Sequence, residues 1–160
     1  MKMVLGDLWQ WHDDGYSVVV PINQGWRGDG TNVMGAGVAR QCAQRFEGIA
    51  RFVGARCMAG RETTPVLWMP KRRLIFFPVK PLDQEKPYLT WQQPASLTLV
   101  ERSVLQLLAL RAKRGDAIFG AGIALPLVGC GNGCLARDQV LPILERYLDD
   151  WFVLVEYQGG

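Results

Sequence analysis

The chain has 160 residues, 49% of them hydrophobic and 21% charged, with a formal net charge of +3. That length suits a single domain, 1–160, with a sizeable core. The mild positive charge tolerates an anionic ligand without making a nucleic-acid binder the default. No apolar run reaches the roughly 18 residues a membrane helix needs, and the opening "MKMVLGDLW" lacks the apolar core of a signal peptide. We therefore expect a cytoplasmic protein with no membrane partner.

The opening "MKMVLGDLW" reads as a strand, and "YSVVVPI" (Tyr16–Ile22) as a second, buried one, because short β-branched apolar runs pack inside sheets. From Val38 the apolar positions Cys42, Ala43 and Phe46 follow at helical spacing. "PVLWMP" and "RLIFFPV" are two further strands punctuated by prolines. A long helix begins near Leu97, with Val100, Val104, Leu107 and Leu108 on one face, and stops at a basic last turn and Gly115. Thr98 and Glu101 have capping-box spacing near its start.

"GIALPLV" and "WFVLVEY" are the last two strands, and between them a helix is expected from about Asp138 to Asp150. Pro142 then belongs in its first turn, where a missing N–H matters least. Strands alternating with helices, and apolar on both faces, predict an α/β fold: a three-layer α/β/α sandwich around a mixed, mostly parallel sheet.

The four cysteines, Cys42, Cys57, Cys130 and Cys134, are expected as reduced thiols. Cys130 and Cys134 are close in sequence, yet His12 is the only histidine and there is no second close cysteine pair, so no metal site is expected.

Two glycine-rich corners remain. Gly35-Ala36-Gly37 stands where a loop enters a helix, so free N–H groups and the positive end of the helix dipole point outward there. Gly129, Gly131 and Gly133 in "ALPLVGCGNGCL" directly follow a strand, and successive N–H groups in such a loop can form an anion-binding nest. Both corners fall at the carboxyl ends of strands, where open α/β sheets bind ligands. Neither matches the usual nucleotide motifs: there is no G-x-x-x-x-G-K-[ST], and the first corner lacks the third glycine of the dinucleotide fingerprint.

Four segments, in order, resemble the macro domain family of ADP-ribose-recognition folds: "GDLW", "VVVPINQ…VMGAGVARQCAQRF", "IFFPVK" and "IALPLVGCGNGCL…VLPILERYL". Together they span nearly the whole chain. "MGAG", the lysine after "FPV" and "GCGNG" resemble the branch containing the DarG antitoxin macro domain and the terminal ADP-ribose glycohydrolases. The resemblance implies that Asp7 accepts from the adenine amino group, helped by the Leu8 backbone, and that Asn23 bonds the distal ribose. Gly35 and Gly37, with Ala36 and Val38 beside them, would line that ribose and the neighbouring phosphate. Gly129, Cys130, Gly131, Asn132 and Gly133 would donate N–H groups to the diphosphate. No cofactor is implied.

By the same resemblance Lys80 is the catalytic residue, removing ADP-ribose from a protein carboxylate or a DNA base. Pro81 biases it to an extended backbone at the end of a buried strand. It can attack or polarise an anomeric carbon only while partly unprotonated. Alternatives are a phosphatase acting on ADP-ribose 1″-phosphate and a non-catalytic module for ADP-ribose or an NAD-derived metabolite.

The sequence departs from the family in two places. Gly133 stands where part of the family has an aspartate, leaving Asp29, Asp83 and Glu85 as replacement acids or bases. The loop "NQGWRGDGTNVMG" is long, and Trp26 and Arg27 could clamp a substrate group there. The basic stretches "KRR" and "RAKRG" could hold ADP-ribosylated DNA as a substrate, although basic residues at a helix end also suit its dipole. A monomer is expected, without the second domain that antitoxin duty would need.

Overall fold

The computed structural model describes residues 1–157. The elements are β1 (Lys2–Leu5), α1 (Leu8–Asp13), β2 (Ser17–Asn23), α2 (Gly37–Arg45), α3 (Ile49–Gly60), β3 (Leu67–Met69), β4 (Leu74–Lys80), α4 (Leu97–Arg114), β5 (Ile123–Leu125), α5 (Arg137–Tyr147) and β6 (Phe152–Glu156). The strands form one sheet in the order β1-β6-β5-β2-β4-β3. All neighbours run parallel except β3, which is antiparallel to β4.

Alternation along the strands assigns each residue to a layer, since successive side chains point to opposite faces. Val18, Val20, Ile22, Leu74, Phe76 and Val153 face α1, α2 and α3, packing on Trp9, Cys42, Ile49 and Val53. Val19, Ile75, Phe77, Ile123, Phe152 and Leu154 face α4 and α5, packing on Val100, Val104, Leu107 and Leu144. This is the expected three-layer arrangement. Phe76 and Phe77 are fully buried on opposite faces, and truncating either to Ala should cost about 3–5 kcal/mol.

Several local expectations need correction. The opening strand stops at Leu5, because the Asp7 carboxylate accepts the Trp9 N–H at 3.0 Å and caps a new helix, α1. The helix α3 has no counterpart in the sequence reading. Its buried positions Ile49, Val53 and Cys57 do recur every fourth residue, but Gly48 and Gly54 obscure the pattern. The cap of α4 is Ser96, which accepts from the Leu99 N–H at 3.2 Å, rather than the Thr98–Glu101 box. Glu101 instead accepts from the Tyr147 hydroxyl at 2.7 Å. Pro142 lies inside α5, not in its first turn, leaving the Asp138 carbonyl without its helical N–H partner. The helix ends at Tyr147, before Asp150.

Candidate functional site

Five strands run parallel, so their carboxyl ends share one edge of the sheet. Along that edge the chain places Gly6-Asp7 after β1, Tyr157 after β6, the 126–133 loop after β5, Asn23 at the end of β2 and Lys80 at the end of β4. From β1 to β4 is four strand spacings of about 4.8 Å, so the row is about 19 Å long. A cleft of about 1120 Å³ runs the length of this row.

Both glycine corners open into it. At the first, α2 begins at Gly37 with Ala36 as its N-cap and no side-chain cap, so the first-turn N–H groups face the cleft uncapped. Gly35, Ala36, Gly37 and Val38 all line the cleft. At the second, Gly129, Gly131, Asn132 and Gly133 line it, and the loop folds on its own carbonyls. Cys134 donates its N–H to Gly131 O at 3.1 Å, and Leu135 donates to Gly129 O at 3.0 Å. The N–H groups of Gly131, Asn132 and Gly133 have no hydrogen-bond partner among the described residues. Gly131 has open space where a Cβ would be; at Gly133 a Cβ would run into the Gly129 carbonyl and Ala95. One glycine leaves room for a visitor, the other for the loop itself.

Asn23 lines the cleft but is largely committed to the first loop. Its Oδ1 accepts from Gly25 N–H at 2.9 Å and from Asn32 Nδ2 at 3.1 Å, and its Nδ2 donates to Val33 O at 2.8 Å. One amide hydrogen is left for a ligand.

Lys80 is half-buried and its Nζ donates to the Trp91 carbonyl at 2.6 Å. Burial pulls its ammonium below the ordinary lysine range, while the nearby Cys134 thiol, when ionised, opposes that. At the far end Asp7 spends one carboxylate oxygen on the α1 cap, and the other remains available to a donor. Trp9, buried behind it, donates from Nε1 to Gln41 at 2.8 Å, with the Arg45 guanidinium 4.8 Å above its ring.

No family model and no curated protein matches the sequence. Solved structures do. Thermosipho africanus DarTG in complex with ADP-ribose aligns with a TM-score of 0.73 at 20% identity, over 98% of this chain and 42% of that one. The macrodomain of Mycobacterium tuberculosis DarG aligns with a TM-score of 0.71 at 21% identity, over 99% of this chain and 97% of that one. This chain has the macrodomain fold. The Oceanobacillus iheyensis macrodomain with ADP is a more distant match, with a TM-score of 0.53 at 16% identity over 99% of this chain and 83% of that one. The chain thus spans less than half of the DarTG protein, and nearly all of the isolated DarG macrodomain.

Some of the expected site residues lie elsewhere in the fold. Trp26 packs on the core and borders a separate hollow of about 340 Å³ with Arg61, Leu82 and Pro87. Arg27 closes a turn with Thr31, through N–H to O at 2.7 Å and Nη1 to Oγ1 at 3.3 Å. Neither lines the cleft. Cys130 turns its side chain toward the core and can offer the cleft only its N–H. None of the three replacement carboxylates lines the cleft either. Asp29 holds the Thr31 hydroxyl and N–H at 2.7 and 3.0 Å, which lowers its pKa on an exposed turn. Asp83 accepts from the N–H groups of Glu85 and Lys86 at 3.2 and 3.1 Å, and Glu85 is exposed. Among the described residues the carboxylates lining the cleft are Asp7 and Glu156, and Glu156 is held by Arg137 at 2.8 and 3.0 Å.

Sequence reasoning missed Trp91, Tyr157, Gln41, Gln44 and Arg45, all of which line the cleft. Only the aromatics carried a signal: Tyr157 ends one predicted strand, and Trp91 lies in the loop that leaves another.

Proposed function

We propose that the cleft binds ADP-ribose lengthwise and that Lys80 cleaves the bond between its distal ribose and an acceptor. One observation carries this reading. Asp7 and Lys80 stand at opposite ends of a cleft whose middle is bordered by unpaired main-chain N–H groups from two glycine corners. ADP-ribose has the matching order: an adenine with an amino donor, an anionic diphosphate, and a ribose with a reactive anomeric carbon, C1″. Main-chain donors hold a diphosphate without a lysine cage, which fits a chain of only +3. That the DarTG structure contains ADP-ribose lends support to the same ligand here.

In the chemistry we assign to Lys80, the neutral amine attacks C1″. A C–N bond forms as the C–acceptor bond breaks, and the acceptor leaves with the bonding pair and takes up a proton. Water then displaces the amine, releasing ADP-ribose and restoring Lys80. Burial supports the step by raising the neutral fraction, and the Trp91 carbonyl fixes where the amine sits. Free thiols at all four cysteines fit a reducing compartment such as the cytoplasm. No helix among the described residues is long and apolar enough to cross a membrane.

The test pairs calorimetry with turnover. ADP-ribose should bind wild type and Lys80→Ala within a few-fold of each other. Release of ADP-ribose from conjugates should fall on the order of 10²-fold or more in the variant. The rate should climb about tenfold per pH unit below the Lys80 pKa and level off before the ordinary lysine value of 10.5, because the neutral amine is the reactive form. Binding without turnover on any acceptor would leave a binding module. No heat with millimolar ADP-ribose would remove the reading altogether.

A further inference from the structure

The sheet ends on an open strand. β1 pairs with β6 on one side, and among the described residues no strand pairs with its other side. One hydrogen bond shows which groups point outward. Gly6 N–H donates to Glu156 O at 2.9 Å, and in a parallel ladder alternate residues turn their N–H and C=O to the same neighbour. Lys2 and Val4 therefore face β6 with their main-chain groups, and Met3 and Leu5 face away from the sheet. Such an unpaired row is a template for another strand.

The side chains agree with the backbone. Val4 packs with the α1–α3 layer, so Met3 and Leu5 point to the opposite face, where they remain 52% and 66% exposed. β3, the strand at the other edge, has no exposed residue. α1 packs on β2 and β5, which leaves β1 clear on its side of the sheet. Neither a proline nor a bulge blunts β1, and its one protective charge is Lys2.

We propose that β1 is the docking strand for a second copy of this chain, paired antiparallel across a two-fold axis. Directly opposed residues of an antiparallel pair share a face, so parity limits the register. The register that uses every outward group of β1 sets Met3 against Leu5 of the other copy, and Val4 against Val4. Met3 and Leu5 then exchange both their hydrogen bonds at each end of the ladder, about four in all. Their exposed side chains meet on one face. Charge fixes the direction, since the cation Lys2 stands before this apolar centre and the acid Asp7 stands after it. Antiparallel copies set each cation beside the acid of the other, whereas parallel copies would set like charges together. The strand is thus complementary to itself. The carboxyl edges of the two copies face opposite ways, so both clefts stay open. This departs from the monomer that the sequence leads one to expect. A ladder of 4 residues is small, so the dissociation constant should lie above about 1 μM.

The experiment is sedimentation of the full chain from about 1 μM to about 1 mM, with amide hydrogen exchange at both limits. Wild type should pass from monomer to dimer, and the Met3 and Leu5 amides should become protected only at the high concentration. The Val4 and Gly6 amides, bonded to β6 within one copy, should be protected at both. Leu5→Lys should weaken the dimer about tenfold or more while leaving the urea midpoint unchanged, because Leu5 is exposed in the single copy. Lys2→Glu should weaken it several-fold at low salt, and added salt should recover part of the loss by screening acid from acid. The proposal falls if wild type stays monomeric at about 1 mM, or if Leu5→Lys leaves the dimer intact. It falls equally if a dimer forms while the Met3 and Leu5 amides still exchange freely, which would put the contact on another face.

Discussion

The two glycine corners look alike in sequence and are held by different physics. The first, Gly35-Ala36-Gly37, is open at each position, with nothing nearer than 3.9 Å to a Cβ at Gly35 and nothing within 4 Å at Gly37. Its place is set from a distance. Asn32, fully buried, donates from Nδ2 to Asn23 O at 3.0 Å and Gly25 O at 2.8 Å, and its N–H reaches Ala50 O at 2.8 Å. The second corner is held mostly from within, through Gly129 and Gly131 carbonyls and a Gly133 that admits no Cβ, with one outside bond from Ala95 N–H to Gly133 O at 2.9 Å. A corner positioned by remote packing can keep its tip free for ligand; one that is self-supporting spends glycines on its own shape.

That contrast can be broken at four places. The largest effect should come from Gly54→Val. A side chain there meets the Gly30 carbonyl and the Asn32 N–H, so the first loop must lift from α3, at about 3 kcal/mol or more in urea unfolding. Because the first corner is placed remotely, ADP-ribose affinity should fall as well, although Gly54 touches no ligand. Next, Gly133→Ala should cost about 1–3 kcal/mol and weaken ADP-ribose, since the Gly129 carbonyl and Ala95 must both shift. An unchanged unfolding midpoint there would contradict the self-supporting loop.

A smaller and opposite signature is expected of Gly131→Ala. Stability should stay within about 0.5 kcal/mol, because the site is open, while ADP-ribose weakens about tenfold, or 1.4 kcal/mol. Equal effects on stability and binding would place Gly131 with Gly133. The smallest concerns His12, under the Asp7 end. Its Nε2 meets Arg72 O at 2.7 Å, and burial lowers its pKa from 6.5. The folded state therefore binds fewer protons than the unfolded one, so its stability contribution is intact above pH 6.5 and drains away below it. Urea midpoints at pH 7.5 and 5.5 should diverge less in His12→Gln, which keeps a donor but cannot titrate there.

The core of the architecture was legible because it is written in short-range patterns. "VVV", "LIFF" and "FVLVE" alternate between layers, and a parallel sheet covered on both faces reads as continuous apolar runs. The helix α3 escaped because its stripe of Ile49, Val53 and Cys57 is interrupted by glycines needed elsewhere, Gly54 for the Asn32 loop. Lys80 and the glycines were legible as motif positions. Trp26 and Trp91 were not distinguishable as sequence: both are tryptophans in loops after strands, and one faces the core while the other faces the cleft.

By itself, then, the sequence determined which segments are strands, which faces of them are buried, and where main-chain N–H groups would lie unpaired, since these follow from periodicity and from glycine placement. Strand order was left to the tertiary structure. By setting β1 and β4 four spacings apart it put Asp7 and Lys80 at the two ends of one cleft, and it chose Trp91 over Trp26 as the aromatic beside the amine. The reason is physical: burial and periodicity act between neighbours a few residues apart, while a cleft is assembled from strand ends that meet only when the whole sheet has formed.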